Sequence, residues 1–446
     1  MGSPDSNAPL HIIGGGLAGC EAAWRAAAHR VPAIIWEMKP LNFSPAHQNP
    51  DLAELVCSNS LRSSDPQNAV GLLKEELRNL GSIVMEAADL TQVPAGKALA
   101  VDREKFSREI TRRIESSPYL TVKRKESADL SPPDGAVAVV AAGPLASARL
   151  TEELQKLTGA ANLSFYDALA PIVTRESLDL DRLFLANRYG EGEGDYLNAP
   201  FEKDEFLKFY EALQREDALS PRPFEDPRFF EGCLPIEVMA ARGQRVLTFG
   251  PMKPVGLTDP RSGRRPYAVA QLRRENLQGS LWNIVGFQTR LPRGAQERVF
   301  RLIPGLARAS FARYGAIHRN TYLEAPQVLD PYQRLLARPS VFMAGQISGV
   351  EGYVESAAQG LVAGENAARA VKGLPLVIPP RETALGALLG HLLPRKGPFS
   401  PSNVNFGLFP APPPETPRAQ VHAWRVAEAR RRLGLFLKEI DYVYPR

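Results

Sequence analysis

The amino-acid sequence predicts an α/β protein in which one twisted parallel sheet is interrupted by an α+β insertion. Three apolar strand patterns, each ending in a glycine turn, indicate the sheet. The first begins at residue 11 and the last at residue 341. Because strands of one sheet must come together in space, the middle of the chain has to leave the sheet and later return to it. This separation predicts the insertion.

The first pattern is a strand, turn, helix and strand at the amino terminus. Residues 11–13 form a short apolar strand, residues 14–19 are GGGLAG, and an alanine-rich helix from Cys20 to about His29 leads to a second strand that ends on Glu37. Such glycines let a pyrophosphate approach the helix N–H groups, and the acid accepts hydrogen bonds from a ribose. The pattern predicts a dinucleotide site formed by Gly14, Gly15, Gly16, Leu17, Ala18, Gly19 and Glu37.

The other two strand patterns lie far apart in the chain. Residues 136–144 (AVAVVAAGP) end in one glycine turn, and residues 341–346 (VFMAGQ) end in another. The second leads into a helix of small residues, 353–370, whose N-terminal dipole would favour an anionic reduced flavin; the alternative is a plain helix start in the sheet. The patterns together predict an FAD-binding Rossmann-like domain of the glutathione-reductase type. Further cofactor contacts are expected from Gly345, Gln346, Gly349 and Gly352.

These elements predict how the chain divides. Residues 8–168 form the first part of the FAD-binding domain, residues 169–324 form the insertion, and residues 325–446 form the second part. Residues 189–195 (YGEGEGD) have the composition of a surface loop within the insertion. Residues 417–442 have the pattern of an amphipathic basic helix, whose simplest role is docking on the core.

The composition is typical of a globular protein from a reducing compartment. Hydrophobic residues make up 44% of the chain and charged residues 23%. The three cysteines, Cys20, Cys57 and Cys233, are too few and too scattered for a disulfide framework or a metal cluster. The amino terminus lacks a basic stretch followed by a long apolar run. We therefore expect a cytoplasmic protein with no membrane partner and no bound metal.

The positive charge is concentrated in one segment. The net charge is +5, but residues 241–320 carry fifteen Lys and Arg against three acids. Aromatic residues lie in or beside this segment, so it is suited to follow a phosphate backbone and stack bases. The alternative is a solvated, arginine-rich surface. The aromatic residues in question are Tyr267, Trp282, Phe287, Tyr314 and Tyr322.

Several segments together resemble one family, the folate- and FAD-dependent tRNA (uracil-5-)-methyltransferases called TrmFO. The principal segments are residues 14–23 (GGGLAGCEAA), 56–62 (VCSNSLR), 231–240 (EGCLPIEVMA) and 345–356 (GQISGVEGYVES). Residues 250–257 (GPMKPVGL), 317–322 (IHRNTY) and 403–410 (NVNFGLFP) also resemble the family. Each motif alone is modest, but the ordered set is specific.

The resemblance implies a covalent mechanism that uses two cysteines. Uracil C5 is a weak nucleophile, so a thiolate has to add to C6 before C5 can attack a one-carbon unit. We assign Cys233 this role, since it lies in a Gly-Cys-Leu-Pro turn beside the basic segment, and Cys57 the role of general acid/base. The opposite assignment stays open. Cys20, behind the glycine turn, is expected to be a buried inert thiol.

The resemblance also implies the substrates. Methylenetetrahydrofolate would pass its carbon to flavin N5, reduced FAD would supply the hydride, and NADH or NADPH would reduce FAD between turnovers. The product would be 5-methyluridine, made from the T-loop uridine of tRNA (position 54) after that base is flipped out. For folate, we expect Tyr353 to form a stacking wall and Arg290 to bind the glutamate carboxylate; a core tyrosine and a surface arginine are the alternatives.

Other functions remain open from the sequence. The related family MnmG, which modifies tRNA wobble uridines, shares the first glycine motif and much of residues 345–370, but its members are longer. A ribosomal RNA uridine is another target within the resemblance. A disulfide reductase would carry its cysteines close together, whereas Cys57 and Cys233 are far apart. A non-enzymatic RNA-binding flavoprotein and any oligomeric state are also open.

Overall fold

The computed structural model describes residues 8–130, 136–159, 163–190, 194–216, 234–394, 397 and 399–445. In chain order the strands are β1 (Leu10–Ile13), β2 (Ala33–Glu37), β3 (Ser60–Ser63), β4 (Gln92–Val93), β5 (Ala98–Val101), β6 (Leu120–Arg124), β7 (Ala138–Val140), β8 (Leu163–Ala168), β9 (Ile172–Thr174), β10 (Phe184–Leu185), β11 (Tyr196–Phe201), β12 (Ala268–Arg274), β13 (Leu281–Ile284), β14 (Phe311–Arg313), β15 (Ile317–Tyr322), β16 (Arg334–Leu335) and β17 (Arg338–Met343). The helices are α1 (Leu17–Ala28), α2 (Ala69–Asn79), α3 (Ile83–Leu90), α4 (Arg103–Ser116), α5 (Ala148–Thr158), α6 (Lys203–Arg215), α7 (Ile236–Ala241), α8 (Gln244–Phe249), α9 (Arg293–Phe300), α10 (Ala325–Val328), α11 (Tyr353–Val371), α12 (Ala384–Gly390) and α13 (Val421–Glu439).

The first sheet has the predicted parallel core. Its strand order is β16-β17-β7-β1-β2-β6, and the five strands from β17 to β6 are parallel. The three predicted strand patterns are β1, β7 and β17, which lie side by side although the insertion separates β17 from the other two. The predicted α/β fold class is therefore confirmed.

Two helices of small residues pack closely beside this sheet. A Cβ added at Gly360 of α11 would collide with the backbone of Ala18, and one added at Gly364 would collide with that of Ala22. Because only glycine permits such close approach, α11 lies directly on α1. This contact holds the first and last parts of the chain together and brings the start of α11 beside the glycine turn.

The second sheet is antiparallel and has its own core. Its strand order is β10-β11-β12-β13-β9-β14, and its cluster of buried side chains includes Phe201, Phe206 and Phe287. The two strands that cross between the sheets, β8 and β15, pair with each other, with Ala168 opposite Ile317. The predicted boundaries near residues 168 and 324 fall at the ends of β8 and β15, and the division into domains stays a prediction.

The remaining segments pack around the first sheet. Strands β3, β5 and β4 form a small sheet, and β3 begins just after Cys57. Helix α13 occupies the middle of the predicted basic helix and buries Val426, Ala429 and Leu433. On α2, the buried carboxylate of Glu76 accepts hydrogen bonds from the first N–H groups of α12, Ala384 N at 2.7 Å and Leu385 N at 2.8 Å. No helix in the described part of the chain is long and apolar enough to cross a bilayer.

Candidate active site

A cavity lies at the carboxyl ends of β1, β2, β7 and β17, where ligands bind in open α/β sheets. The side of the glycine turn and the side of α11 both contribute to it. The predicted residues that line it are Gly14, Gly15, Gly16, Leu17, Ala18, Glu37, Gly345, Gln346 and Tyr353. Its other lining residues include Trp36, Lys39, His47, Glu54, Val56, Ser127, Gly143 and Ser147.

The glycine turn leaves open space at the start of α1. Gly14 has a φ of +104°, and a Cβ there would lie 2.5 Å from the carbonyl oxygen of Ala141 on the neighbouring strand end. Gly16 is the N-cap of α1 and has no side chain to accept from the first N–H groups of the helix. A Cβ at Gly16 would meet no atom within 4 Å. The helix N-terminus is therefore open and leaves room for a pyrophosphate, whose binding there stays a prediction.

Glu37 lies on the wall of this cavity and braces the turn. Its Oε2 accepts from Gly15 N at 2.9 Å, and its Oε1 accepts from Lys39 N at 2.9 Å. A carboxylate oxygen accepts more than one hydrogen bond, so ribose hydroxyls can still donate to Glu37. The residues present thus fit an adenine dinucleotide such as FAD.

Three predicted glycines lie near the cavity without lining it. A Cβ at Gly19 would collide with the carbonyl oxygen of Gly14, and one at Gly349, where φ is +93°, would collide with the Phe399 ring. Gly352 is the N-cap of α11 and has a φ of +110°. The structure explains these glycines by close packing and backbone conformation. Their contact with the cofactor stays a prediction.

Cys57 lies beside the cavity and is tied to Tyr353. The Tyr353 hydroxyl oxygen accepts from Cys57 N at 2.6 Å and from Ser58 N at 3.3 Å. Tyr353 is the first residue of α11 and lines the cavity. Burial, followed by the nearby Cys57 thiol, raises the pKa of the Tyr353 hydroxyl. The hydroxyl is therefore neutral at physiological pH, and the structure brings Cys57 and Tyr353 together at the cofactor cavity.

Arg313 interacts electrostatically with Cys57 and Tyr353, and it also interacts with His318 and His47. The Arg313 guanidinium donates to Ala46 O at 3.3 Å. Burial lowers the pKa of His318, and Arg313 lowers it further; burial followed by Lys39 lowers the pKa of His47. Both imidazoles are thus predominantly neutral at pH 7. The sequence did not indicate His47, which lines the cavity, because it belongs to no metal or catalytic spacing.

The residues around Lys39 were also missed from the sequence. The buried Lys39 ammonium donates to Asn49 O at 3.0 Å and Asp51 O at 2.7 Å, and it pairs with Glu54 at 3.2 Å. These contacts fold the segment after β2 back over the cavity, so that Lys39 and Glu54 line it. The signal was weak, since one lysine two residues after Glu37 has no diagnostic pattern.

The other cysteines occupy different situations. The Cys20 thiol is completely buried, donates to Gly15 O at 3.4 Å, and has a pKa raised by burial. This is the environment of an inert thiol, as expected. Cys233 lies outside the described residues, so its predicted place beside the uracil is not observed.

Arg290 contacts Glu237 near the start of α7, within the segment 231–240 that carries Cys233 in the sequence. Its backbone N–H donates to Glu237 Oε1 at 3.0 Å, and its Nε is 3.4 Å from the same oxygen. Arg290 does not line the cofactor cavity. Its role as the folate carboxylate clamp stays a prediction, with Glu237 as a competitor for the guanidinium.

The basic segment is less uniform than its charge suggests. Arg298 pairs with Glu216, an acid outside the segment, as Arg290 does with Glu237. The prediction that its aromatic residues stack bases is wrong for Trp282, Phe287 and Tyr322, because all three are buried. The most exposed aromatic side chain of the segment is instead Phe249, at the end of α8, which is 80% exposed.

Comparison with known proteins agrees with the fold and the motifs. The family profile described as glucose inhibited division protein A, GIDA, matches residues 9–375. The methylenetetrahydrofolate–tRNA-(uracil-5-)-methyltransferase TrmFO of Desulforudis audaxviator is 53% identical over 435 residues, which is 96% of this chain and 98% of the relative. The protein of the same name from Nitratidesulfovibrio vulgaris strain Hildenborough is 58% identical over 404 residues, covering 90% of this chain and 85% of the relative.

The chain belongs to the TrmFO family.

The resemblance inferred from the motifs is therefore confirmed. Among solved structures, GidA of Aquifex aeolicus superimposes with a TM-score of 0.69 at 18% identity, covering 98% of this chain and 75% of that one. At this identity the likeness concerns the fold alone. It confirms the predicted arrangement of a Rossmann-like domain with an insertion, while family membership rests on the TrmFO relatives.

Proposed function

We propose that this chain methylates C5 of a uridine in tRNA, using methylenetetrahydrofolate as the carbon donor and reduced FAD. The observation that carries the proposal is the position of Cys57, whose backbone N–H donates to the hydroxyl of Tyr353, a residue that lines the cavity at the glycine turn. A disulfide reductase would need a second cysteine next to the first, and among the described residues Cys57 has no such neighbour. The names of the TrmFO relatives support the same reaction.

The residues that would hold FAD are those of the glycine turn, Glu37 and the start of α11. Gly16 opens the helix N-terminus to the pyrophosphate, and Glu37 would accept from the ribose. Gly345, Gln346 and Tyr353 line the far side of the cavity, where the isoalloxazine would lie. Bound FAD would supply the transfer of the one-carbon unit from folate and the hydride that completes the methyl group.

The chain's own residues would activate the uracil. We propose that the Cys233 thiolate adds to C6, which moves an electron pair to C5 and makes that carbon nucleophilic. Once C5 carries the new carbon, Cys57 would accept the C5 proton as a thiolate and become a thiol. Hydride addition to the new carbon would then complete the methyl group, re-form the C5–C6 double bond and expel the Cys233 thiolate from C6. The proton held by Cys57 would pass to solvent, so that both cysteines return to their starting states. Exchange of the two roles is the alternative within this mechanism.

We also propose how tRNA, the nicotinamide reductant and folate would bind. The insertion would bind tRNA through its exposed cations, and the T-loop uridine would be flipped into a pocket containing Cys233. NADH or NADPH would reduce FAD between turnovers. Folate would stack near Tyr353, with Arg290 as the proposed partner of its glutamate.

Trapping with 5-fluorouridine tests the mechanism. An RNA carrying this base at the target should form a covalent protein–RNA adduct, because fluorine does not leave as a proton does. Cys233→Ala should abolish the adduct and keep yellow FAD, whereas Cys57→Ala should form the adduct and make no 5-methyluridine. Cys20→Ala is the matched control and should methylate normally, since its thiol is buried.

Each opposite outcome has a defined meaning. An adduct with Cys233→Ala and none with Cys57→Ala would reverse the two roles. Methylation at the wild-type rate by both single variants would refute the covalent mechanism. Methylation of ribosomal RNA in place of tRNA would change the target and leave the chemistry intact.

A further inference from the structure

The loop that carries Cys57 is bound by a side chain from the insertion. Arg273 of β12 donates from Nε to Asn59 Oδ1 at 3.0 Å and from Nη2 to Ser58 Oγ at 2.8 Å. The Asn59 amide in turn donates to Val101 O at 2.9 Å and to Arg274 O at 2.8 Å. Arg273 is 6% exposed and Asn59 is fully buried. The two residues after Cys57 are therefore attached to both the small sheet and the insertion.

A second attachment grips the residues before Cys57. Arg103, the first residue of α4, donates from Nη1 to Leu55 O at 2.6 Å and to Val56 O at 3.3 Å. The same guanidinium donates from Nε and Nη2 to Glu275 Oε2, at 3.1 and 2.8 Å. Glu275 follows β12 directly and is buried. Arg103 thus links the loop to the same edge of the insertion that Arg273 reaches.

Arg273 and Arg103 each bond to two or more groups at once, which a simple ion pair does not require. A guanidinium presents its donors in a fixed planar fork, so satisfying two acceptors at once fixes the relative positions of the groups it joins. Removing the hydrogen-bond partner of a buried polar group such as Asn59 or Glu275 destabilises the folded protein. Both attachments are therefore kept in the native state. Tyr353 completes the arrangement by accepting the Cys57 N–H from the cofactor side.

We propose that Arg273 and the Arg103–Glu275 pair are positioning residues that set the place of the Cys57 thiol from the insertion. The loop is held on one side by the cofactor domain and on the other by β12. The thiol is therefore placed correctly only when the first and second sheets keep their positions relative to each other. The relevance to methylation rests on the proposed function of Cys57. The placement of the thiol itself does not, and it can be measured separately.

The FAD-loaded full chain with Arg273→Met tests the proposal. The substitution keeps much of the side-chain volume and removes both hydrogen bonds to the loop. Arg188→Met is the matched control, because Arg188 also bonds to β12, through Gln271 Oε1 at 2.9 Å, and to Val255 O at 3.0 Å without contacting the Cys57 loop. Alkylation of Cys57 by iodoacetamide is followed by peptide mass spectrometry, which resolves it from Cys20 and Cys233.

We expect Cys57 in Arg273→Met to be alkylated about tenfold faster than in wild type, since the loop opens when Asn59 loses its donor. In the methylation assay kcat should fall about 10- to 100-fold, as expected of a misplaced reacting group, while the KM for tRNA changes less than about twofold. Arg273→Lys, which can keep one of the two bonds, should recover part of kcat. Arg188→Met should match wild type in both assays.

Two results would overturn the positioning proposal, and a third would refute the proposed function. Unchanged Cys57 alkylation and kcat in Arg273→Met would overturn the proposal. Equal changes in Arg188→Met would also overturn it, because they would show general loosening of the insertion. If wild type makes no 5-methyluridine, the proposed function fails, and the alkylation rates still decide whether Arg273 positions the thiol.

Discussion

Replacing Tyr353 with phenylalanine separates two functions of this residue. The substitution keeps the ring that lines the cavity and deletes the oxygen that accepts from Cys57 N at 2.6 Å and Ser58 N at 3.3 Å. Leaving a buried amide N–H without an acceptor costs about 1–3 kcal/mol, and the longer bond, from Ser58 N, contributes less than the bond from Cys57 N. The substitution should therefore destabilise the closed conformation of the loop by about 2 kcal/mol in total. That energy makes open conformations of the Cys57 loop about 30-fold more populated.

The assay for this variant is steady-state methylation at varied folate concentration. We expect Tyr353→Phe to retain FAD and to keep the KM for folate, because the ring surface is intact. Its kcat should fall between about 3- and 30-fold, since the Cys57 loop is displaced more often. Tyr353→Ala should in addition raise the KM for folate if the ring is the stacking wall. A wild-type kcat for Tyr353→Phe would refute the positioning role of the hydroxyl.

The remaining predictions concern the cofactor, pH and salt. Gly16→Trp should abolish FAD binding by filling the open helix N-terminus, whereas Gly434→Trp on exposed α13 should leave the protein yellow, as its absorption spectrum will show. Burial raises the pKa of Glu76 from 4.5 to about 8. Because Glu76 loses its proton at a lower pH in the unfolded chain than in the folded one, the free energy of unfolding should decrease from pH 4.5 to 8. Denaturant titrations of Glu76→Gln should lack this decrease, and a decrease of the same size in the variant would contradict the assignment. Affinity for tRNA should fall steeply with salt concentration. Replacing the exposed Arg265 with alanine should reduce this salt dependence more than Arg298→Ala does, because Arg298 already pairs with Glu216. Binding that does not depend on salt would show that the basic segment is only a solvated surface.

The cavity at the glycine turn was predictable because its signals are local. The strand, glycine turn, helix and acid lie within residues 10–37, and each has a steric or electrostatic requirement that few residue types meet. Helix α1 begins at Leu17, one turn earlier than the alanine-rich pattern suggested, since Gly16 provides the N-cap. Helix α11 agrees closely with the prediction because its small residues suit a helix that is almost wholly buried and lies directly on α1.

The surroundings of Cys57 were not predictable by the same reasoning. The bonds from Arg273 to Asn59 and from Tyr353 to Cys57 join residues 214 and 296 positions apart. No periodicity connects such positions, and their meeting depends on how the insertion lies against the first sheet. Composition likewise does not report burial, which is why Trp282 and Phe287 were taken as base-stacking residues although both belong to the core.

The most direct test of the central claim is the product formed by the purified, yellow protein on an unmodified tRNA transcript. With methylenetetrahydrofolate and NADH supplied, nucleoside analysis should show 5-methyluridine at the T-loop position, with its methyl carbon derived from labelled folate. Omitting folate, or using Cys57→Ala, should abolish the product. A protein that binds FAD and tRNA and yet forms no 5-methyluridine when every substrate is supplied would contradict the account.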